Sequence, residues 1–298
     1  MARFSYLDQI QRLDPERDHQ RIAFLDACYE FPWDTTRALE LALFRTFGVA
    51  KGSALLAGTG EFTQRPQKRY DDTVLMLSEM VEHGYDSERG RAAMRQMNRL
   101  HGRYAIPNDE FLYVLSTFIF EPIRWNARFG WRPLIAQEKL AAFYFWREIG
   151  RRMNIKQLPT DITMFEQFNL EYEQEHFRYA ESNERLATVT RDMFLGWFLP
   201  RPLWRLGEPA IYAMLDDPLL DAVAFPHPSA RMRWFVEGML KTRARLIRRM
   251  PVRRRPRLLT EQPTRTYPHG YRIEELGPRG EATDRSKSME TVDIRHGM

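Results

Sequence analysis

The feature that most restricts this chain is the spacing of its apolar residues. They return every three or four positions in Arg37 to Phe47, Asp72 to Val81, Ala92 to Tyr104, Glu110 to Ile123, Gln137 to Met153 and Asp161 to Tyr179. That period lines up side chains on one face of a helix, whereas the strict alternation of a half-buried strand is scarce. The chain therefore reads as all-α. Glycine and proline fall between the periodic stretches, in "HGYD", "GWRP", "QLPTD" and "FLPRPLW", where they end helices. Ser87 and Asp161 stand where an N-cap oxygen is wanted. Further helical stretches run from Ala210 to Leu246, broken at "DDP" and "FPHPS".

With 298 residues, 43% of them hydrophobic, the chain can bury a sizeable core without staples. We read residues 1–250 as a single globular helical domain. Residues 251–298, rich in Arg, Pro, Thr, Ser and Gly, read as a basic, flexible tail. The lone cysteine, Cys28, rules out an internal disulfide framework and fits a reducing compartment. The first residues lack the basic start, apolar run and cleavage site of a secretory signal, so a cytoplasmic location is expected. Apolar runs such as "FLYVLSTFIF" fall far short of the ~20 residues of a membrane span. No transmembrane segment is expected, while peripheral contact with a membrane stays open. The net charge of +5 is concentrated between Lys241 and Arg257. No nucleic-acid-binding motif accompanies it, so no nucleic-acid partner is expected.

Neither GxxxxGK[ST] nor GxGxxG is present, and there is no GxSxG nucleophile elbow. Two Glu-x-x-His pairs do occur, Glu16/His19 and Glu173/His176. On two helices that spacing is how a di-iron carboxylate site is built. Both lie in densely charged segments, which favours solvated helix faces. His101 is different, because Met94 at i−7, Met97 at i−4 and Tyr104 at i+3 place it on an apolar stripe. A buried imidazole must satisfy both ring nitrogens or penalise the fold by about 1–3 kcal/mol. In "KRYDDT", Arg69, Asp72 and Thr73 share one helix face. They either salt-bridge and cap the helix or line a pocket.

"RYDDT", then "MNRLHGRYAIPNDEFLYVLSTFIFEPIRW", "FGWRPL" and "FWREIGRRMNIKQLP", resemble the MpaB/latex-clearing-protein family of haem-dependent oxygenases, in its MpaB-like branch. The resemblance can be followed from about Leu13 to Leu199. It implies an all-α fold with haem b in a pocket between helices. It further implies His101 as the axial ligand of the iron, with Arg69 and Thr73 across the haem pocket. The implied activity is O₂-dependent oxidation or cleavage of a C=C bond in an apolar, isoprenoid-type substrate.

In the rubber-cleaving branch a lysine precedes the threonine, whereas here Asp72 does, so the local charge is reversed. A carboxylate there would orient Arg69, hold water or act as a base. No counterpart of that branch's catalytic glutamate is evident; Glu61 is the nearest carboxylate upstream. The expected catalytic and cofactor-binding set is accordingly Arg69, Asp72, Thr73 and His101. The competing expectations are a non-catalytic haem-binding or sensing protein and the di-iron protein.

Overall fold

A computed structural model describes residues 3–278. The chain begins with α1 (Ser5–Ile10) and α2 (His19–Leu25), which passes through a π-helical turn, Asp26–Glu30, into α3 (Pro32–Phe47). Next come α4 (Ala50–Gly58), α5 (Glu61–Gln64), α6 (Pro66–His83) and α7 (Glu88–His101). The long α8 (Asn108–Phe129), α9 (Ala136–Arg152), α10 (Ile162–His176) and α11 (Glu181–Gly196) follow. The series ends with α12 (Trp204–Tyr212), α13 (Asp217–Ala222) and α14 (Ala230–Arg249). Among the described residues there is no β-strand, only an isolated bridge between Val49 and Phe177.

The start and stop signals act as expected. Ser87 Oγ accepts the Gly90 N–H at 2.9 Å, and Asp161 Oδ1 accepts those of Thr163 and Met164 at 2.7 and 3.1 Å. Pro66 occupies the first turn of α6, where its missing N–H is harmless. α7 stops at His101, so Tyr104 falls beyond the helix and is exposed rather than on its apolar stripe. The start of α7 passes so close to the end of α6 that a Cβ on Gly90 would lie 2.1 Å from the Gly84 carbonyl oxygen. Only glycine fits there.

α8 is the central element, packed against α3, α9, α10 and α14. One side of it, through Leu112, Leu115 and Ile119, joins Leu75, Met80, Met94, Phe143 and Phe145 in one core cluster. Tyr113 joins Phe44, Phe47, Phe194 and Phe225 in a second. Each fully buried side chain of this kind contributes about 1.5–3 kcal/mol. Between the clusters, Arg45 of α3 is nearly enclosed. Its Nε and Nη1 reach Glu121 and Glu173 at 2.8 and 2.9 Å, and Nη2 reaches Asp216. Burial alone would lower the pKa of this guanidinium, but the three carboxylates outweigh it and raise it.

The boundary expected at residue 250 is not where packed structure ends. Residues 251–278 lie against the body: Val252 and Leu276 are buried, and Tyr267, Tyr271 and Ile273 pack on the first core cluster. The reason is electrostatic as much as apolar, because α6 presents Asp71, Asp72, Glu79 and Glu82 to this segment. Asp71 accepts the Thr266 N–H at 2.8 Å, Glu79 the Tyr271 hydroxyl at 2.5 Å, and Glu82 the Leu259 and Thr260 N–H groups at 2.6 and 3.1 Å. The remainder of the expected tail, 279–298, lies outside the described residues. No helix among the described residues is long and apolar enough to cross a membrane.

Candidate functional site

A cavity of about 370 Å³ opens between α3, α4, α6, α7, α8 and α9, within the roughly 300–1,000 Å³ span of ligand pockets. Along α6 its lining runs from Arg69 to Glu82, roughly 20 Å at the helical rise. The slot is therefore long, and its wall is mostly apolar, with leucine and aromatic side chains prominent in it.

His101 enters this slot from the last position of α7, its ring edge-on to Phe111 at 5.4 Å between centroids. Nδ1 is buried and has no hydrogen-bond partner. Burial first, and then the Arg69 guanidinium, push the imidazole pKa down to about 4. A helix C-terminus favours a cation by about 0.3–1 kcal/mol, which is too little to reverse this. The ring is neutral at pH 7 and keeps a lone pair for an electrophile.

Arg69 also lines the slot. Its Nη1 donates to Thr73 Oγ1, which in turn donates to the Arg69 carbonyl at 3.0 Å, and its guanidinium lies 5.0 Å over the Phe62 ring. Burial lowers its pKa, opposed by Asp72, Glu61 and Tyr104. An arginine cannot shed its proton under these conditions, so a fixed positive charge stands beside the neutral imidazole.

Asp72 borders the same cavity, but its carboxylate is already engaged. Lys68 Nζ bonds both oxygens at 3.0 and 2.9 Å, the Tyr267 hydroxyl donates to Oδ1 at 2.6 Å, and the Gly277 N–H donates to Oδ2 at 3.0 Å. Its expected roles of base or water holder do not fit a carboxylate that already accepts four hydrogen bonds from three donors. It latches the C-terminal segment, and Lys68 neutralises the charge reversal noted in the sequence. Asp72→Asn is expected to cost on the order of 3 kcal/mol, as when one partner of a buried ion pair is removed. The same change should speed hydrogen exchange in residues 264–277 selectively. Unchanged protection there would remove Asp72 as the latch.

Glu61 is buried at the start of α5 and held by Arg65, with Nε to Oε2 at 3.1 Å. The two Glu-x-x-His pairs do not build a metal centre. His19 meets the Glu16 carbonyl and the Tyr85 hydroxyl, each at 2.5 Å. Glu173 binds Arg45, while His176 stacks on Tyr172 at 4.0 Å. Among the described residues no group of three or more His, Cys, Asp or Glu could hold a metal ion. The di-iron expectation fails on this geometry, and Glu173 belongs to a half-buried ion network rather than a solvated face.

Residues 42–249 match the family described as ER-bound oxygenase mpaB/B'/Rubber oxygenase, catalytic domain. That is more than half of the chain, and it includes Arg69, Thr73 and His101. The chain belongs to this family. Among similar proteins is the ER-bound oxygenase mpaB of Penicillium roqueforti (strain FM164), 31% identical over 215 residues, 66% of this chain and 72% of the relative. The ER-bound oxygenase mpaB' of Penicillium brevicompactum is 30% identical over 238 residues, 74% of this chain and 56% of the relative. The ER-bound oxygenase mpaB of the same species is 29% identical over 222 residues, 67% and 56% respectively. The match thus spans little more than half the length of the latter two.

Two features of this MpaB/rubber-oxygenase-family cavity escaped the sequence. Glu40, in the wall on the α3 side, accepts from the Tyr70 hydroxyl at 2.8 Å and Arg37 Nη2 at 2.6 Å. Burial raises its pKa to about 7 against the opposing pull of Arg37 and Tyr70. The available signal was a lone carboxylate inside "ALELALF". Arg257 also lines the slot, and its position within the expected tail concealed it.

Proposed function

We propose that this chain is a haem b-dependent oxygenase that uses O₂ to oxidise or cleave a C=C bond of an apolar, isoprenoid-type substrate. One observation carries the reading: a neutral histidine with a buried, unpartnered ring nitrogen at the wall of an elongated apolar cavity. A ligand on Nδ1 would answer that orphan, and His101 is the residue that would hold the haem iron. The haem, when bound, would supply the O₂ chemistry.

The protein's own groups do the rest. Thr73 fixes Arg69, and Arg69 supplies a permanent positive charge and hydrogen-bond donors inside the cavity. Leu77, Met97, Phe111 and Val114 exclude water and hold an alkene by burial, at about 25 cal/mol per Å². The family relatives are named oxygenases, which supports the same reaction class.

The test is an absorption spectrum of haem-supplemented protein beside a His101→Ala variant. A Soret band with an axial-histidine signature is expected in the wild type and should be lost or altered in the variant. A colourless wild type, or an unchanged variant, would overturn the assignment. Incubation with O₂ and an isoprenoid alkene should give carbonyl fragments. A haem-loaded protein that yields none would be the non-catalytic haem binder.

An apolar substrate partitions into membranes, and the reading includes peripheral contact with one. On the outer face of α14, Phe235, Met239 and Leu246 are exposed and lie on one stripe, and Met250 just past its end is exposed too. Arg231, Lys241, Arg245, Arg248 and Arg249 are on the same helix. A basic helix with such a stripe suits an anionic lipid surface. Phe235→Ser with Met239→Ser should lower co-sedimentation with phosphatidylglycerol vesicles about tenfold, since each residue buries roughly 1 kcal/mol or more of apolar surface. Equal recovery of variant and wild type would dismiss the contact.

A further inference from the structure

The cavity wall changes character around α6. Arg69, Thr73 and Met76 share the face beside His101, while Tyr70, Val74, Leu77 and Val81 lie about 100° round the axis, and both sets line the slot. The lining also includes Leu39, Leu43, Leu55 and Leu56, together with Glu40 and Arg257.

Arg257 stands on fixed backbone. Its N–H donates to the Cys28 carbonyl at 2.9 Å, Val252 before it is buried, and Leu259 after it is tied to Glu82. Among the described residues no carboxylate pairs with its guanidinium. Burial first, and then the Arg253 and Arg37 charges, hold its pKa below the ordinary arginine value, against a smaller opposing pull from Tyr70. Arg37 has a buried Nε without a hydrogen-bond partner. Glu40 is the local negative charge, and its Oε1 is already shared by Arg37 and Tyr70. Glu82 is spent on Leu259 and Thr260. One carboxylate thus stands against two guanidiniums, and Arg257, half-buried in the slot wall, has no ion-pair partner of its own among the described residues, so a ligand anion would supply the missing one.

We propose that the ligand of this cavity is an apolar chain ending in an anionic head, a carboxylate or a phosphate, and that Arg257 binds that head with the Arg37 charge close behind it. The proposal rests on the oxygenase reading for the ligand being a substrate, and it deepens that reading by naming the substrate's polar end. Guanidinium groups suit either head, because both offer paired oxygens to a fork of N–H donors. Leu39, Leu43, Leu55 and Leu56 would hold the chain between the head and the His101 side of the slot. Arg37, Glu40 and Arg257 all lie outside residues 42–249, so the head-group site is not part of what the family match covers.

The experiment compares three probes of one chain length, farnesoic acid, farnesyl monophosphate and farnesol, by titration calorimetry on wild type and Arg257→Leu, with and without added haem. Wild type should bind the two anions about tenfold or more tighter than the alcohol. Arg257→Leu should erase that gap while leaving farnesol within about twofold, and Arg257→Lys should restore part of it. Arg37→Gln, at a different point of the fold, should narrow the gap too and covers the case in which Arg257→Leu does not fold. Equal binding of acid and alcohol by wild type, or an equal loss for all three probes, overturns the proposal. So does a loss of haem absorption in Arg257→Leu with the head-group preference intact, which would assign the guanidinium to the haem carboxylates. The two readings fail separately, since a protein that stays colourless with haem still reports its preference among the probes.

Discussion

His101→Leu should abolish the axial-histidine haem spectrum and yet stabilise the protein when no haem is present. The gain at pH 7 is about 1–3 kcal/mol, the cost of an orphaned buried polar atom, because Nδ1 has nothing to bond. It should widen in acid. The folded imidazole titrates at about 4 against 6.5 for the free side chain. Between those values the unfolded chain binds a proton that the folded chain refuses, so wild-type stability falls as the pH drops from 6.5 to about 4 and levels off below. At 1.36 kcal/mol per pKa unit the loss reaches at most about 3 kcal/mol. Leucine has no such proton. Urea titrations of both proteins across pH 4–7 check this, and parallel curves would mean that the ring is already satisfied. Haem should reverse the order, because it binds the folded wild type alone and stabilises it by mass action.

Arg45→Met is expected to be the most damaging single change outside the cavity. It would leave Glu173 without its ion-pair partner and Glu121 with Arg124 alone, with Asp216 released. Removing one partner from a buried ion network typically costs about 3–5 kcal/mol, a large share of the ~5–15 kcal/mol by which domains are stable. The loss spreads over α3, α8 and α10, which Arg45 ties together through these carboxylates. Adding Glu121→Gln and Glu173→Gln to Arg45→Met should recover part of the loss, since the uncompensated charges go with it. A penalty under about 1 kcal/mol for Arg45→Met would show that solvent reaches the network and screens it.

The helices were legible because each carries its own period and stop signals. Ser87 and Asp161 cap where expected, and α3, α6, α7, α8, α9 and α10 coincide with the periodic segments, except that α7 and α10 stop three residues short of the expected Tyr104 and Tyr179. His101 was legible for the same reason, as a polar residue on the Met94–Met97 stripe. What escaped was non-local. Asp72 reads as a pocket residue from its helix alone, whereas its partners Tyr267 and Gly277 lie 195 and 205 residues away. Tyr267, Tyr271 and Leu276 are too few and too interspersed with proline and charge to announce burial. Their docking follows from four acidic residues on α6, and that pairing exists only once both segments are folded. Glu40 was hidden for the opposite reason, because a single carboxylate in an apolar helix face shows burial but not the tyrosine and arginine that sustain it.

The cavity wall contains Leu259, Gly277 and Pro278, and these come last among the described residues. A ribosome delivers the chain from its N-terminus at about 5–20 residues per second. While the chain is being made, α1 to α14 therefore emerge before residues 251–278, and the slot lacks this part of its wall until that segment docks. Once Lys68, Tyr267 and Gly277 have closed on Asp72, entry and exit both require passage through what opening remains or release of that latch.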